Sequence, residues 1–342
     1  MQKILVTGGL GFIGSNLTRM LLDKNYYVIN IDKVSYASNF YNLRDISNNK
    51  NYKFIKTDIA NKKRIKKILN YFKPICIFNL AAETHVDRSI DSPKNFVDTN
   101  IIGTFNLLEA IRFLNKKKIK TKLIHISTDE VYGDIYGKLR SSESHGYYPS
   151  SPYSASKASA DHLVKSYIRT YKINAVISNC CNNYGPYQFP EKLLPKMISN
   201  IFDNKSLPIY AKGKNSREWI HVEDHCEALF MLYLRGKSGE SYNIGSGINI
   251  SNIDLIKKLL KLSKLLNIKI GKKTKIVFVK DRPGHDFRYA LNSKKIFKEL
   301  KWKAKINLNQ GIKETLKWYL NNKIFLKTIS KKMYKKRLGL SL

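Results

Sequence analysis

Near its amino terminus the chain reads Ile4-Leu5-Val6-Thr7-Gly8-Gly9-Leu10-Gly11-Phe12-Ile13-Gly14, an apolar run that leads into a turn with four glycines. Glycine lets the backbone turn tightly and approach a bound group closely. A helix that opens at such a turn presents free N–H groups and a partial positive charge, which suit a pyrophosphate. Because glycines also form ordinary turns, this segment alone predicts only a strand, a tight turn and a helix.

A carboxylate at the end of the next predicted strand narrows this interpretation. Asp32 follows the strand Tyr27–Ile31 and lies 24 residues after Gly8. An acidic side chain there accepts hydrogen bonds from both hydroxyls of an adenosine ribose, and it repels a 2′-phosphate. It therefore favours NAD over NADP, although the neighbouring Lys33 weakens that preference. Strand, turn, helix and acid together predict a dinucleotide site.

The first half of the chain alternates short β-branched runs with helical spacing of apolar residues. The predicted strands are Lys3–Thr7, Tyr27–Ile31, Lys53–Thr57, Ile75–Leu80, Lys122–Ser127 and Ala175–Asn179. The predicted helices are Leu17–Lys24, Lys62–Tyr71, Ile101–Asn115 and Ser154–Tyr171. This alternation is typical of an α/β fold with a doubly wound parallel sheet of the Rossmann type, whose helices cover both faces. We expect a smaller C-terminal α/β substrate domain beside it.

The character of the chain changes after Asn179, where glycine and proline cluster in Tyr184-Gly185-Pro186 and in Phe189–Pro195. We expect a dinucleotide-binding domain at 1–178 and a substrate domain formed by 179–217 and 249–330. Segment 218–248 is expected to return to the first domain, because it contains a helical stretch, Glu223–Leu234, and a strand-like run, Tyr242–Gly245.

The last residues, Lys323 to Leu342, mix apolar and basic positions and include a basic tail at 331–342. This favours a solvated terminal helix over a membrane-surface anchor. No apolar run approaches the ~18 residues of a membrane span. Glycine also follows the start of the chain too soon for a signal peptide. We therefore expect a cytoplasmic protein with no membrane partner.

The net charge of +36 resembles that of nucleic-acid-binding proteins. The lysines, however, are spread along the whole chain among many Asn, Ile and Tyr residues, as in Lys62-Lys63, Lys257-Lys258 and Lys272-Lys273. We interpret this pattern as drift towards the codons of an AT-rich genome. It predicts no specific nucleic-acid partner, while a positive field still favours an anionic substrate.

The four cysteines are Cys76, Cys180, Cys181 and Cys226. They show neither the CxxC spacing of a metal site nor the framework of a secreted disulfide-bonded protein. We predict buried free thiols and no metal site.

A second group of motifs contains candidate catalytic residues. Tyr153-Ser154-Ala155-Ser156-Lys157 opens a predicted helix after Pro152, and spacing of i and i+4 places Tyr153 and Lys157 on one face. A cation near a phenol favours the phenolate, so this pair is a candidate base. The preceding strand delivers Ser127-Thr128-Asp129-Glu130 to the carboxyl end of the sheet, where ligands bind in this architecture.

With these residues the sequence resembles the extended short-chain dehydrogenase/reductases over nearly its whole length. Within that family, two segments are similar to nucleotide-sugar 4,6-dehydratases of the dTDP-glucose type, namely Ser127-Thr128-Asp129-Glu130-Val131-Tyr132-Gly133 and Asn179-Cys180-Cys181-Asn182-Asn183-Tyr184-Gly185-Pro186-Tyr187-Gln188-Phe189-Pro190-Glu191-Lys192-Leu193. The resemblance implies a lyase with tightly bound NAD that is recycled within each turnover. Sugar-nucleotide 4-epimerases of the family keep the tyrosine and lysine but lack the Asp-Glu pair.

The resemblance also implies a role for each catalytic residue. Tyr153, beside Lys157, takes the proton of the C4 hydroxyl during oxidation, and Thr128 hydrogen-bonds the C4 oxygen. Glu130 then removes the C5 proton, which the new ketone makes acidic, and a protonated Asp129 donates to the departing C6 hydroxyl. Hydride returns to C6, so no net redox occurs. Two adjacent carboxyl groups in a water-poor pocket suit this scheme, because one pKa is pushed up.

Binding residues follow from the same resemblance. The implied dinucleotide set is Gly8, Gly11, Phe12, Ile13, Gly14, Asp32, Lys33, Ser35, Asp58, Ile59, Leu80, Ala81, Ala82, Thr99, Tyr153, Lys157 and Asn183. The implied substrate set is Thr84, Thr128, Asn182, Lys192, Leu193, Pro208, Tyr210, Arg217, Asn252, Arg282 and His285. The two arginines and the histidine suit a pyrophosphate. The loop that ends in Asn252 departs from the wording usual in the family.

Several alternatives stay open at this point. One is the same dehydration on UDP-glucose, because thymine and uracil differ by one methyl, worth about 1–3 kcal/mol in a pocket. Others are 4-epimerisation, C6 decarboxylation, or a silent nucleotide- or nucleic-acid-binding protein. Because all five catalytic groups are present, the sequence favours an enzyme over a catalytically silent binding protein. Relatives dimerise through two helices each, so the resemblance also implies a homodimer formed by Ile101–Asn115 and Ser154–Tyr171.

Overall fold

The computed structural model describes residues 1–329 and Leu338. Its strands are β1 Lys3–Thr7, β2 Tyr27–Asp32, β3 Tyr52–Lys56, β4 Cys76–Asn79, β5 Lys122–Thr128, β6 Ala175–Cys180, β7 Asn182–Tyr184, β8 Leu207–Tyr210, β9 Ser216–His221, β10 Ser241–Ile244, β11 Asn249–Ser251 and β12 Ile276–Val279. Its α-helices are α1 Phe12–Asp23, α2 Lys62–Phe72, α3 Val86–Asp91, α4 Lys94–Phe96, α5 Gly103–Lys116, α6 Pro152–Tyr171, α7 Leu193–Phe202, α8 Val222–Arg235, α9 Asn252–Leu265, α10 Lys294–Leu300, α11 Leu308–Asn321 and α12 Lys323–Thr328.

Seven strands form a parallel central sheet in the order β10-β6-β5-β4-β1-β2-β3. The predicted Rossmann-type α/β fold is confirmed, and all six strands predicted for the first half are present. After β3 the chain crosses to the other side of β1 to form β4. This reversal opens a crevice between β1 and β4 at the carboxyl ends of the strands, which is where such sheets bind ligands.

Both faces of the central sheet are covered by helices. On one face α1, α8 and α10 bury a core that includes Leu17, Phe78 and Leu229. On the other face α2, α5 and α6 bury a second core around Leu107 and Val164. Burial on both faces explains why the strands read as continuous apolar runs rather than alternating ones.

The elements after β6 build a smaller lobe. β7, β9 and β11 form a three-stranded sheet, and β8 pairs with β12. A third core, which includes Leu194, Trp219 and Leu259, packs between these strands and α7, α9 and α11. β10 returns to the edge of the central sheet beside β6. The division into 1–178 with 218–248, and 179–217 with 249–330, stays a prediction.

Some helices begin earlier than predicted. Their starts are set by the N-cap residue, whereas the prediction relied on the spacing of apolar residues. α1 begins at Phe12 rather than Leu17, because the glycine turn already ends at Gly11. α6 begins at Pro152, where Ser151 and Ser154 form a reciprocal capping box with N–H to Oγ distances of 3.1 and 3.0 Å. Ahead of α5, residues Val97–Ile102 form wider π-helical turns, a feature often found at functional sites.

A terminal helix is present as α12, but it is not solvated on all sides as predicted, because Phe325 and the following Ile329 are buried in the third core. Residue 330 and the basic tail 331–342, apart from Leu338, lie outside the described residues. Within the part of the chain that the structure describes, no helix combines the length and apolar character that a membrane crossing requires. All four cysteines are buried free thiols, as predicted.

Candidate active site

The glycine turn brings β1, α1 and the end of β4 into close contact. Gly8 has a φ of +72°, and a Cβ there would lie 2.8 Å from the Ala81 nitrogen. A Cβ on Gly14 would lie 2.3 Å from the Gly8 carbonyl oxygen. Gly11 caps α1, and among residues 1–329 no side chain caps its first turn or places a carboxylate in it. The N–H groups of this turn therefore suit a phosphate, as expected for a bound dinucleotide.

A cavity of about 300 Å³ lies at this turn. Each of the 17 residues implied for dinucleotide binding lines it, from the glycine turn to Asn183. Thr84, Thr128, Asp129 and Glu130 line its other end. The fold thus brings the two groups of motifs together, while the role of each residue stays a prediction.

Asp32 is held at the rim of this cavity by three donors. It accepts hydrogen bonds from the backbone N–H groups of Leu10 and Val34, at 3.1 and 2.8 Å, and from Ser38 Oγ at 2.7 Å. Burial raises its pKa, and these hydrogen bonds oppose that effect. The carboxylate is therefore oriented before any ribose binds.

Lys33 is engaged by partners that the sequence analysis did not identify. Its Nζ lies 2.9 Å from Glu83 Oε1 and donates to Thr99 Oγ1 at 2.8 Å. Glu83 is buried, and its carboxylate compensates the ammonium charge. The 2′-phosphate of NADP would have to compete with Glu83 for Lys33. Lys33 therefore weakens the preference for NAD over NADP less than its place next to Asp32 in the sequence suggests.

The end of β5 places a pair of carboxyl groups against the cavity. Asp129 is 2% exposed, and within the described residues its Oδ2 has no hydrogen-bond partner. Burial raises the pKa of Asp129 well above its usual range, and the neighbouring Glu130 carboxylate adds to the effect. Burial also raises the pKa of Glu130, but Arg282, Lys192 and Arg217 counteract it. The pair therefore favours a neutral Asp129 beside an ionised Glu130.

Tyr153 and Lys157 lie on the face of α6 that packs against β5, and both are buried. Lys157 Nζ donates to the Ile126 carbonyl oxygen at 2.6 Å. The pKa of Tyr153 is raised, first by burial and then by the Glu130 carboxylate. The expected lowering by Lys157 is not seen in the protein alone, because the ammonium is held by the strand backbone and the phenol faces the carboxylates.

A larger cavity of about 820 Å³ adjoins the first and shares Glu130, Asn182, Lys192 and Leu193 with it. It is lined by nine of the residues implied for the substrate, namely Asn182, Lys192, Leu193, Pro208, Tyr210, Arg217, Asn252, Arg282 and His285. The other two, Thr84 and Thr128, line the smaller cavity. Lys192 Nζ donates to the Thr84 carbonyl at 2.7 Å, which connects the two cavities.

The three groups implied for a pyrophosphate differ in charge and availability. Arg282 Nη1 donates to Asp87 Oδ1 at 2.6 Å. Arg217 donates to three backbone carbonyls, at distances from 2.8 to 3.1 Å. Burial and the charges of the two arginines lower the pKa of His285 to about 4. His285 therefore contributes a neutral imidazole at neutral pH.

Sequence reasoning did not assign roles to Glu83, Asp87 or Glu191. Glu191 accepts from Tyr36 OH at 2.8 Å and from Arg88 Nε at 3.1 Å, and so links the loop after β2 to α3. Glu83 and Asp87 lie close to Thr84, which the family resemblance implies in substrate binding, and Glu191 lies within the family-like segment Asn179–Leu193. Their partners come from elements distant in sequence, so spacing alone does not reveal them.

Comparison with known proteins agrees with this architecture. Residues 5–315 match the family model described as GDP-mannose 4,6 dehydratase. The chain is 45% identical over 346 aligned residues to a probable dTDP-glucose 4,6-dehydratase of Sinorhizobium fredii, with 99% of each chain covered.

Two solved structures extend the comparison to three dimensions. The dTDP-glucose 4,6-dehydratase of Bacillus anthracis, crystallised with NAD, superposes with a TM-score of 0.87 at 40% identity and covers 96% of this chain and 100% of its own. The dTDP-glucose 4,6-dehydratase of Streptomyces venezuelae, also with NAD bound, gives a TM-score of 0.89 at 38% identity and covers 95% and 98%.

The buried carboxyl of Asp129 predicts an unusual effect on stability. A carboxyl group whose pKa is raised in the folded protein contributes stability below its unfolded pKa and loses it as the pH rises towards the folded value. Asp129→Asn stays neutral, so at pH 8 it should raise the melting temperature by about 2–4 °C, or ~1 kcal/mol. The gain in melting temperature should shrink towards pH 5 in scanning calorimetry.

Asp45→Asn is the matched control, at a surface acid whose pKa is lowered chiefly by its hydrogen bond with Arg19, and it should give no gain. A lower melting temperature for Asp129→Asn at pH 8 would contradict this assignment.

Proposed function

This chain belongs to the family of nucleotide-sugar 4,6-dehydratases, and we propose that it converts dTDP-glucose to dTDP-4-keto-6-deoxyglucose by the residues identified above. The observation that carries the proposal is the convergence of two pairs on one cavity. Tyr153 and Lys157 come from α6, and Asp129 and Glu130 come from the end of β5. The first pair suits oxidation of an alcohol and the second suits elimination of water.

The dinucleotide site fits NAD. The open first turn of α1 would hold the pyrophosphate, and Asp32 would accept hydrogen bonds from the adenosine ribose. When bound, NAD supplies the hydride acceptor for C4, the hydride donor for C6 and a positively charged ring whose field favours the Tyr153 phenolate.

The side chains of the protein move the protons. Tyr153, as the phenolate, takes the proton of the C4 hydroxyl and becomes a neutral phenol. Thr128 Oγ1, 3.2 Å from Asp129 Oδ1, orients the C4 oxygen. Glu130 removes the proton at C5 once C4 is a ketone. Asp129 is buried and neutral, so it donates its proton to the departing C6 hydroxyl. The raised pKa of one carboxyl and the counteracting cations near the other separate the acid from the base.

The larger cavity supports the nucleotide-sugar part of the proposal. Arg217, Arg282 and Lys192 line it beside the neutral His285 and suit a pyrophosphate. We propose the remaining residues of the substrate set as sugar and base contacts. Both cavities are lined by residues from both predicted domains, as expected for a site between a dinucleotide-binding domain and a substrate domain. The pairing of β10 with β6 supports the return of 218–248 to the first domain.

We propose that the protein acts in the cytoplasm as a homodimer built on α5 and α6. These helices pack side by side, and Val97, Ile102 and Tyr171 are exposed apolar side chains on or next to them. Surface of this kind is often covered in oligomers.

The substrate assignment is tested by incubating the purified protein with dTDP-glucose and with UDP-glucose in separate reactions. dTDP-glucose should give the 4-keto-6-deoxy product without added NADH. UDP-glucose should react with a kcat/KM lower by about 10–200-fold if the thymine methyl is bound in an apolar pocket. NMR of the products distinguishes the reactions. Inversion at C4 without loss of water would replace the dehydratase proposal with an epimerase.

The two carboxyl groups should affect different steps. Asp129→Asn should slow product formation by about 10²–10⁴-fold, because a general acid is removed. It should still exchange the C5 proton with D₂O, because Glu130 and Tyr153 remain. Glu130→Gln should lose both exchange and product, and Tyr153→Phe should lose both because C4 is not oxidised. Turnover at the parental rate in Asp129→Asn would contradict the assignment of Asp129 as the general acid.

A further inference from the structure

A third charged side chain lies on the catalytic face of α6. Asp161 follows Lys157 by four residues and Tyr153 by eight, so the three share one side of the helix. Asp161 is 0% exposed. Burying a carboxylate completely raises the free energy of the folded protein unless other groups compensate its charge. The groups around Asp161 therefore indicate what it does.

Its contacts connect it to the strand that carries the catalytic residues. Asp161 Oδ2 accepts from Ser127 Oγ at 2.7 Å and from Tyr147 OH at 3.0 Å. Lys157 Nζ donates to the carbonyl of Ile126, the residue before Ser127. Consecutive turns of α6 thus hold consecutive residues of β5, immediately before Thr128.

The other carboxylate oxygen faces a buried histidine. His125 Nε2 lies 3.3 Å from Asp161 Oδ1, and His125 Nδ1 lies 3.1 Å from Asn79 Nδ2. The Asn79 amide nitrogen can only donate, so His125 Nδ1 accepts and the proton of the neutral ring is on Nε2, on the side of Asp161. The approach of Nε2 to Asp161 Oδ1 is a polar contact, because neither atom forms a hydrogen bond of good geometry within the described residues. Burial and the charge of Lys157 lower the pKa of His125, which keeps the ring neutral.

This contact extends to the dinucleotide site. Asn79 Oδ1 accepts from Thr7 Oγ1 at 2.8 Å, and Thr7 Oγ1 accepts from the Ala81 N–H at 3.0 Å. A chain of buried polar groups therefore crosses β5, β4 and β1 and ends beside Gly8. It connects the catalytic helix to the turn that suits the pyrophosphate.

Asp161 lies one turn after Lys157 on α6, and its negative charge acts to raise the pKa of Lys157, which burial lowers. An ammonium that is 4% exposed needs a nearby negative charge. The titratable groups that face Lys157 or Asp161 from the packed elements are His125, Tyr132, Tyr147, Tyr153 and Cys180. Burial raises the pKa of Cys180 to about 12 and raises those of the tyrosines, so these groups are neutral at pH 7. Burial also acts to raise the pKa of Asp161, but His125, Lys157 and Ser127 outweigh it, so Asp161 stays ionised.

We propose that Asp161 is a positioning residue that keeps Lys157 protonated and holds the catalytic face of α6 against the end of β5. It lines neither cavity and acts through Lys157 and Ser127. The inference rests on the proposed function, in which a charged Lys157 supports Tyr153.

The test is the pH dependence of kcat/KM for dTDP-glucose with the full-length, NAD-loaded enzyme. In the proposed reaction Lys157 acts as an ammonium that supports the Tyr153 phenolate once NAD is bound, so the rate should fall as the pH rises through the pKa of this lysine. Asp161→Asn removes the neighbouring negative charge and lowers that pKa. The alkaline limb of the profile should therefore move to lower pH by about one unit or more, the effect usual for one close charge. Asp161→Glu should restore most of it.

Matched controls separate charge from hydrogen bonding. Tyr147→Phe and Ser127→Ala each remove one donor to Asp161 but keep its charge, so their alkaline limbs should stay within about 0.3 units of the parent, well below the shift that a lost charge produces. NAD content and melting temperature of each variant report folding independently of turnover. Asp161→Ser provides a second charge-free variant if Asp161→Asn is not recovered folded.

An unchanged alkaline limb in a folded charge-free variant, with only a lower melting temperature, would overturn the proposal. So would loss of fold in both charge-free variants while Asp161→Glu folds, because this would assign Asp161 to stability alone. A parent enzyme that does not dehydrate dTDP-glucose would instead refute the proposed function, which keeps the two failures distinguishable.

Discussion

The site depends on the docking of α6 against β5, which is fixed by the hydrogen bond from Lys157 Nζ to the Ile126 carbonyl oxygen. Tyr153 and Lys157 come from the helix, whereas Thr128, Asp129 and Glu130 follow directly on the strand. A rotation of the helix by one residue, about 100°, would turn the phenol away from the carboxyl pair. The capping box at Ser151 and Ser154 sets where the helix begins, and so fixes this rotation from the other end.

A second constraint is the exclusion of water from this contact. Burial acts on every titratable group here, but neighbouring charges give different results. The carboxylates of Glu130 and Glu218 add to the effect of burial on Asp129 and outweigh Arg217, so Asp129 becomes a neutral acid. Arg282 and Lys192 instead offset the burial of Glu130. The same low-dielectric environment makes Lys157 dependent on a buried counter-charge. The protein thus maintains an acid, a base and a cation within one cavity by arranging partners rather than by exposing groups to solvent.

Much of this was readable from the sequence, for reasons tied to particular residues. The glycine turn and the strand pattern predicted the central sheet, because glycine and β-branched residues act locally. The Tyr153–Lys157 spacing and the Asp129-Glu130 pair predicted the chemistry together with the family resemblance. The small lobe was not resolved into elements, because β7, β8, β11 and β12 have at most four residues each and pair across long separations. The sequence also does not reveal the compensation of Lys33 by Glu83 or the surroundings of Asp161, since these contacts join side chains that are distant in sequence.

In the proposed reaction, one cavity oxidises C4, removes water and reduces C6 within a single turnover. The most direct measurement uses dTDP-glucose labelled with deuterium at C4, mixed with unlabelled substrate, and locates the label in the product by NMR and mass spectrometry. Deuterium should appear at C6 of molecules that began as labelled substrate, with no scrambling between molecules. Label recovered in bulk NADH or solvent, or retained at C4 of an inverted sugar, would contradict the proposed reaction.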